Sequence, residues 1–161
     1  MNSLRLSTDR LCSGDWRRLG SNDLAALFAP EVVEFLPMGF QGQRTETDQR
    51  NFLAELSQQA EVLALFDASG QGVGLLILSH ANPGSPERHL GYLLAQHVWG
   101  QGLATGLIAA LQDLFRCSDV ILSGRVMLGN TASARALQQA GFLSEDNGDE
   151  VFYRWSGAAR S

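Results

Sequence analysis

Between Leu90 and Leu111 the chain runs Leu-Gly-Tyr-Leu-Leu-Ala-Gln-His-Val-Trp-Gly-Gln-Gly-Leu-Ala-Thr-Gly-Leu-Ile-Ala-Ala-Leu. An apolar strand, a tight glycine turn and the start of an apolar-faced helix follow one another directly. Glycines at the opening of a helix leave its first backbone N–H groups unpaired and pointing one way, with the positive end of the helix dipole behind them. That arrangement takes a phosphate or pyrophosphate held mainly by main chain. A dinucleotide fingerprint would need G-x-G-x-x-G in the first strand–helix unit and an acidic residue about 20 positions later. Here the spacing is Gly100-x-Gly102-x-x-x-Gly106, late in the chain. A P-loop needs a G-K-S/T run, and the chain contains no lysine at all. Both readings fail.

A chain of 161 residues with 45% hydrophobic and 18% charged residues is expected to form one soluble globular domain, spanning 1–161. A net charge of −5 argues against nucleic acid, which needs a concentrated basic surface, and suits a cationic amine substrate. No apolar run at the N-terminus reads as a signal peptide, and none is long enough to span a bilayer. Cys12 and Cys117 have neither metal-ligand spacing nor the pattern of a disulfide framework, so no metal is expected. The cytoplasm is the expected compartment.

Along the chain, Leu4–Leu11 reads as a strand and Ser13-Gly14-Asp15 as a turn into a helical segment. Trp16, Leu19, Leu24, Leu27 and Phe28 line one face of that segment, with a break near Gly20. Pro30 and Pro37 punctuate a loop-rich stretch, and Thr47–Gln59 reads as a helix with Phe52, Leu53 and Leu56 inward. Ala60–Asp67 and Val73–Leu78 are strands joined by a hairpin-type turn, followed by a Pro/Gly-dense loop around Asn82. The strand Leu90–Leu94 leads to a helix over Leu103–Phe115. A strand over Val120–Leu128, a helix over Thr131–Ala140 and a strand over Val151–Trp155 complete the chain, the last after the turn-prone Glu145-Asp-Asn-Gly-Asp. This order predicts an α/β (α+β) domain with a twisted, mixed, largely antiparallel sheet and helices on both faces.

The segment Trp99-Gly-Gln-Gly102-Leu-Ala104 resembles the CoA pyrophosphate loop of the GNAT acyl-CoA N-acyltransferase superfamily, usually written Q/R-x-x-G-x-G/A. Tryptophan in the first position, the run to Thr105 and the upstream Gly91-Tyr92-Leu93 resemble the ribosomal-protein N-terminal acetyltransferase (RimJ/RimL-type) branch. A second block, from Asn130 through Ser133 and Leu137 to Gly141-Phe142, is similar to the superfamily's Asn-x-x-Ser…Gly-Phe motif. Thr8-Asp-Arg10-Leu11 also resembles the first strand of that branch.

The resemblance implies a fold in which the strands carrying Leu90–Leu94 and Val120–Leu128 splay apart at a bulge, where the pantetheine arm pairs with exposed backbone. It assigns the main chain of Leu93, Leu94 and Ala95 to pantetheine. The N–H groups of Gly100, Gln101, Gly102, Leu103, Ala104 and Thr105 fall to the pyrophosphate, with Trp99, Asn130 and Ser133 also at the cofactor. Acetyl-CoA would be the acyl donor, attacked directly by a neutral amine, with a backbone N–H near Leu93 stabilising the oxyanion. Many members place Glu two residues before the Gly-Tyr pair, where this chain has His89, with Glu87 two further back. Alternation puts both on one strand face, so either serves as base through water, and a histidine ordinarily titrates near pH 6.5. His80 and His97 are lesser candidates. The tyrosine acid common in the superfamily falls on Leu137 and is absent, which leaves Ser133 to hydrogen-bond the sulfur or simply to cap its helix.

The expected activity is acetyl transfer to a primary amine, either a protein N-terminus or a small molecule. Acceptor specificity is expected in Phe28–Arg44 and the loops around Asn82 and Asn147. Pairing as a homodimer through exposed strand edges is compatible with the resemblance. The competing reading is a non-catalytic acyl-CoA-binding or sensor module of the same fold.

Overall fold

The computed structural model describes residues 5–127, 129–148 and 150–158. Seven strands form one sheet in the order β1-β2-β3-β4-β5-β7-β6: β1 Cys12–Asp15, β2 Ala60–Phe66, β3 Gly72–Ser79, β4 Glu87–Leu94, β5 Ile121–Met127, β6 Leu143–Asn147 and β7 Glu150–Ser156. Every neighbouring pair is antiparallel except β4 and β5, which are parallel and joined through the helix Leu103–Phe115. Consecutive residues Val62–Phe66 and Val73–Leu76 are buried, so both faces of the central strands are covered. The helices doing this are α1 Ser21–Leu27, α2 Pro30–Val33, α3 Glu46–Gln59, α4 Leu103–Phe115 and α5 Thr131–Gln139. Leu24, Leu27, Leu53, Leu107, Ile108, Leu111 and Leu137 bury their side chains in one core. Phe28, Phe40 and Phe52 pack edge-on and stacked beside it.

Two expectations change. The N-terminal strand is not Leu4–Leu11 (Leu4 lies outside the described residues) but Cys12–Asp15, so Ser13-Gly14-Asp15 is strand rather than turn. The reason is Thr8: its hydroxyl accepts from the N–H groups of Arg10 and Leu11, closing a turn through the predicted strand. Leu6 and Leu11 are still buried. At the other end, Leu143–Asn147 is an additional strand in the region expected to be a turn. Its register with β7 runs as far as Asn147 against Glu150, and Gly148 just beyond has left-handed backbone at φ 73°. As a polar edge strand with Leu143 exposed, it carries no alternation for periodicity to find.

The expected loop-rich stretch also carries the short helix Pro30–Val33; the other elements match their predicted spans to within a few residues, and α4 occupies Leu103–Phe115 as expected. Leu128, the expected end of β5, lies outside the described residues. Among the described residues no helix is long and apolar enough to cross a membrane.

Candidate active site

The parallel pairing of β4 with β5 runs only from Glu87–Ile121 to Leu90–Gly124. Beyond it, β4 continues to Leu94 against β3 alone and β5 continues to Met127 against β7 alone. The two strands therefore splay, as the resemblance implies, but without the expected bulge: the β3–β4 register is unbroken, and the sheet's register shift lies between Leu65 and Phe66 of β2.

The opening continues into a cleft of about 600 Å³. Tyr92, Leu93 and Leu94 of β4 form one wall, and Trp99, Gly100, Gly102, Leu103 and Ala104 form the glycine turn. Asn130 and Ser133 at the start of α5 face them, and Glu31, Glu34 and Phe35 border the cleft from α2 and the segment after it. Of the residues singled out from sequence, Ala95, Gln101, Thr105, Glu87 and His89 are not in this lining.

Register decides what the open edge of β4 offers. Ala95 donates its N–H to Val73 of β3 at 2.8 Å. In an antiparallel ladder hydrogen-bonded pairs recur at every second residue, so Gly91, Leu93 and Ala95 all turn their N–H and C=O toward β3. Tyr92 and Leu94 turn theirs toward the gap. Contrary to the pantetheine expectation, the main chain of Leu93 and Ala95 is committed to the sheet, while the N–H and C=O of Tyr92 and the N–H of Leu94 face the gap. The Leu93 N–H, expected to stabilise an oxyanion, likewise points toward β3. The Leu94 carbonyl is also taken, by the Trp99 indole N–H at 2.8 Å, which ties the glycine turn to the end of β4.

Within the turn, Gly100 and Gly102 have left-handed backbone at φ 79° and 77°. Gly102 is the N-cap of α4 and makes no side-chain cap. The first N–H bonded within the helix is that of Gly106, to the Gly102 carbonyl, so those of Leu103, Ala104 and Thr105 stay open. Beside them lies Arg10, whose Nη2 is 3.4 Å from where a Cβ on Gly102 would sit. Backbone donors, helix dipole and an adjacent guanidinium fit a phosphorylated ligand.

On α5, Asn130 is the N-cap, and its side-chain oxygen accepts from the Ser133 N–H at 3.4 Å. Capping is therefore done by Asn130, and the Ser133 hydroxyl faces Tyr92, 3.2 Å away. Burial raises the pKa of Tyr92 above the usual phenol value, against the opposing effect of the Ser133 bond. Leu137 is buried against β5, with Cδ1 3.3 Å from where a Cβ on Gly124 would sit. Leu137 is not part of the cleft lining.

Glu87 and His89 lie on the face of β4 opposite Tyr92. Arg154 of β7 donates to the Glu87 carboxylate at 3.0 Å and also pairs with Glu145. The Arg154 bond is the main reason Glu87 is held below the ordinary carboxylate range, opposed by partial burial and aided by the Arg154 charge. His89 is exposed and in register with Ser123, whose buried hydroxyl has no hydrogen-bond partner among the described residues. His80 and His97 are both exposed and outside the cleft lining.

A family profile described as an acetyltransferase (GNAT) domain matches residues 16–143. The chain belongs to the GNAT acetyltransferase family. Solved structures agree on the fold. A GNAT-family acetyltransferase from Bacillus anthracis is 18% identical with a TM-score of 0.74, covering 97% of this chain and all (100%) of its own. RimL, a ribosomal L7/L12 alpha-N-protein acetyltransferase solved in complex with coenzyme A, is 18% identical with a TM-score of 0.72 over 97% of this chain and 100% of its own. The ribosomal-protein-S5-alanine acetyltransferase of Vibrio fischeri is 16% identical with a TM-score of 0.65, covering 96% and 97% respectively. No curated protein sequence matches the chain significantly.

Tyr92, Arg10 and the acidic border of Glu31 and Glu34 were not singled out as site residues from sequence. Tyr92 and Arg10 both fall inside quoted motifs, and alternation along β4 was the available signal for Tyr92. Nothing in the sequence places Arg10 beside a turn so distant in the chain.

Proposed function

We propose that this GNAT protein transfers an acetyl group from acetyl-CoA to a primary amine. The observation that carries the reading is the row of open N–H groups at the mouth of α4, leading into the gap where β4 and β5 part. The pyrophosphate is assigned to the N–H groups of residues 100–105 with Arg10 alongside. The pantetheine is assigned to the Tyr92 main chain and the Leu94 N–H, and the acetyl group to the gap next to Ser133. The amine nitrogen bonds to the thioester carbon, the C–S bond breaks, and the thiol leaves protonated.

His89 is the better candidate for the base, through water. Glu87 is bonded by Arg154 and its pKa is lowered, both of which make it a weaker proton acceptor. The carboxylates of Glu31 and Glu34 suit an acceptor carrying positive charge, either a peptide N-terminus or a small amine. Two exposed, unpaired cysteines, Cys12 and Cys117, suit a reducing compartment such as the cytoplasm.

The test is to incubate the protein with acetyl-CoA and a panel of peptides, polyamines and amino acids while following free thiol. Acceptor-dependent thiol release with an acetylated product is the expected result. Tight CoA binding without release across the panel would favour the non-catalytic module, and no CoA binding would refute both.

A further inference from the structure

With the tyrosine position of α5 filled by a buried leucine, the Ser133 hydroxyl is a useful donor only if its hydrogen is directed. A serine hydroxyl has one hydrogen and rotates freely, so its direction must be set by something it accepts from. On the capping side that need is gone, because Asn130 already takes the Ser133 N–H. The partner in reach is the Tyr92 phenol, at 3.2 Å, from the neighbouring strand and on the wall of the same cleft.

We propose that Tyr92 is a positioning residue: its phenol donates to Ser133 Oγ and so leaves the serine hydrogen directed into the cleft, at the sulfur of the departing thiol. This rests on the acetyl-CoA reading above. A phenol is the more acidic hydroxyl of the pair and hence the better donor, and its burial disfavours the ionised form. Once the Tyr92 hydrogen occupies one lone pair of Ser133 Oγ, the serine's own hydrogen needs an acceptor, and the cleft is where one would be supplied.

Neither oxygen has to ionise. As the C–N bond forms and the C–S bond breaks, the electron pair goes to sulfur, and the Ser133 hydroxyl stabilises it by a hydrogen bond. The proton that ends on sulfur is the one the new ammonium gives up, carried by the base and water. A tyrosine on β4 thus supplies, through a serine, an aid to thiol departure that Leu137 cannot give.

Two readouts test this on the whole chain, using Tyr92→Phe, Ser133→Ala and the double variant, with thermal unfolding to confirm that each folds. The first is steady-state kinetics with the best acceptor found. Ser133→Ala is expected to lower kcat roughly tenfold and Tyr92→Phe about three- to tenfold, the range of one hydrogen bond. The KM for acetyl-CoA should stay within about twofold, and the double variant should be no slower than Ser133→Ala alone.

The second readout needs no acceptor. Free CoA is bound and its thiol titrated by thiolate absorbance, against desulfo-CoA as a blank. Each single variant is expected to raise the bound thiol's pKa, and the double variant by no more than Ser133→Ala. Independent, multiplying losses would overturn the proposal, because Tyr92 would then act other than through Ser133. An unchanged thiol pKa and unchanged kcat in Tyr92→Phe would overturn it as well. If wild type turns over no amine, the acetyl-transfer reading fails, while the thiol titration still decides the Tyr92–Ser133 arrangement. Absence of CoA binding would refute both.

Discussion

Substitution at the two left-handed glycines separates their conformational role from their place at the ligand. Gly100 and Gly102 have nearly the same φ, 79° and 77°. Placing alanine in that backbone region costs about 1–2 kcal/mol at either site. At about 2–4 °C per kcal/mol for a domain of this size, Gly100→Ala and Gly102→Ala should each lower Tm by about 2–8 °C, and by similar amounts. Their surroundings differ. A Cβ at Gly100 meets nothing within 4 Å, whereas one at Gly102 points at Arg10 Nη2, 3.4 Å away. The Gly102 methyl would enter the notch between the open N–H groups and the guanidinium, to which the proposed function assigns a bridging phosphate. Losing one hydrogen bond to a charged oxygen costs about 1.5–3 kcal/mol, so Gly102→Ala should weaken CoA binding at least about tenfold. Gly102→Val should weaken it further, while Gly100→Ala should stay within about threefold. Calorimetric titration with CoA, run beside thermal unfolding, gives both numbers for each variant. Equal affinity losses at the two glycines, or wild-type affinity in Gly102→Ala, would refute the assignment of phosphate to this notch.

Arg10→Ala should raise the KM for acetyl-CoA about two- to fivefold at low salt, because the contact is exposed, and the effect should shrink as ionic strength rises. No change at low salt would remove Arg10 from the site. Leu137→Ala should lower stability by about 2–5 kcal/mol in urea unfolding, as for other buried leucines. Leu137→Tyr should overpack the space against Gly124 and leave the rate per folded molecule no higher than wild type. A rate gain would show that the phenol escapes the core. Glu87, depressed by Arg154, contributes stability that is fully present above its ordinary pKa of 4.5 and is lost as pH falls through the lowered value. Arg154→Met should therefore flatten the acid limb of a plot of urea midpoint against pH, and an unchanged limb would contradict the pairing.

The turn and its helix were legible because their signals are local: glycine spacing, apolar periodicity over Leu103–Phe115 and an asparagine-led helix at Asn130. The same local reasoning failed at Thr8, whose side chain competes for backbone donors, and at Leu143–Asn147, where pairing rather than patterning makes the strand. Backbone direction along β4 was illegible for a deeper reason. Whether Leu93 or Leu94 faces the gap is a matter of register with β3, fixed by contacts with Val73 and Leu75 rather than by the residues themselves. The Tyr92–Ser133 and Arg10–Gly102 approaches likewise join segments far apart in sequence.

The four-residue seam between β4 and β5 also governs how the molecule exchanges hydrogen with solvent. Along the end of β4, the amides of Leu93 and Ala95 are locked into the sheet, while those of Tyr92 and Leu94 face an open edge. Protection should therefore alternate residue by residue within one strand, slow and fast, although all lie in the same element. A ligand that pairs with the edge as an added strand would erase the alternation by slowing Tyr92 and Leu94 alone. The sheet is thus incomplete by one short strand, and in the function proposed above the pantetheine arm of the acyl donor completes it.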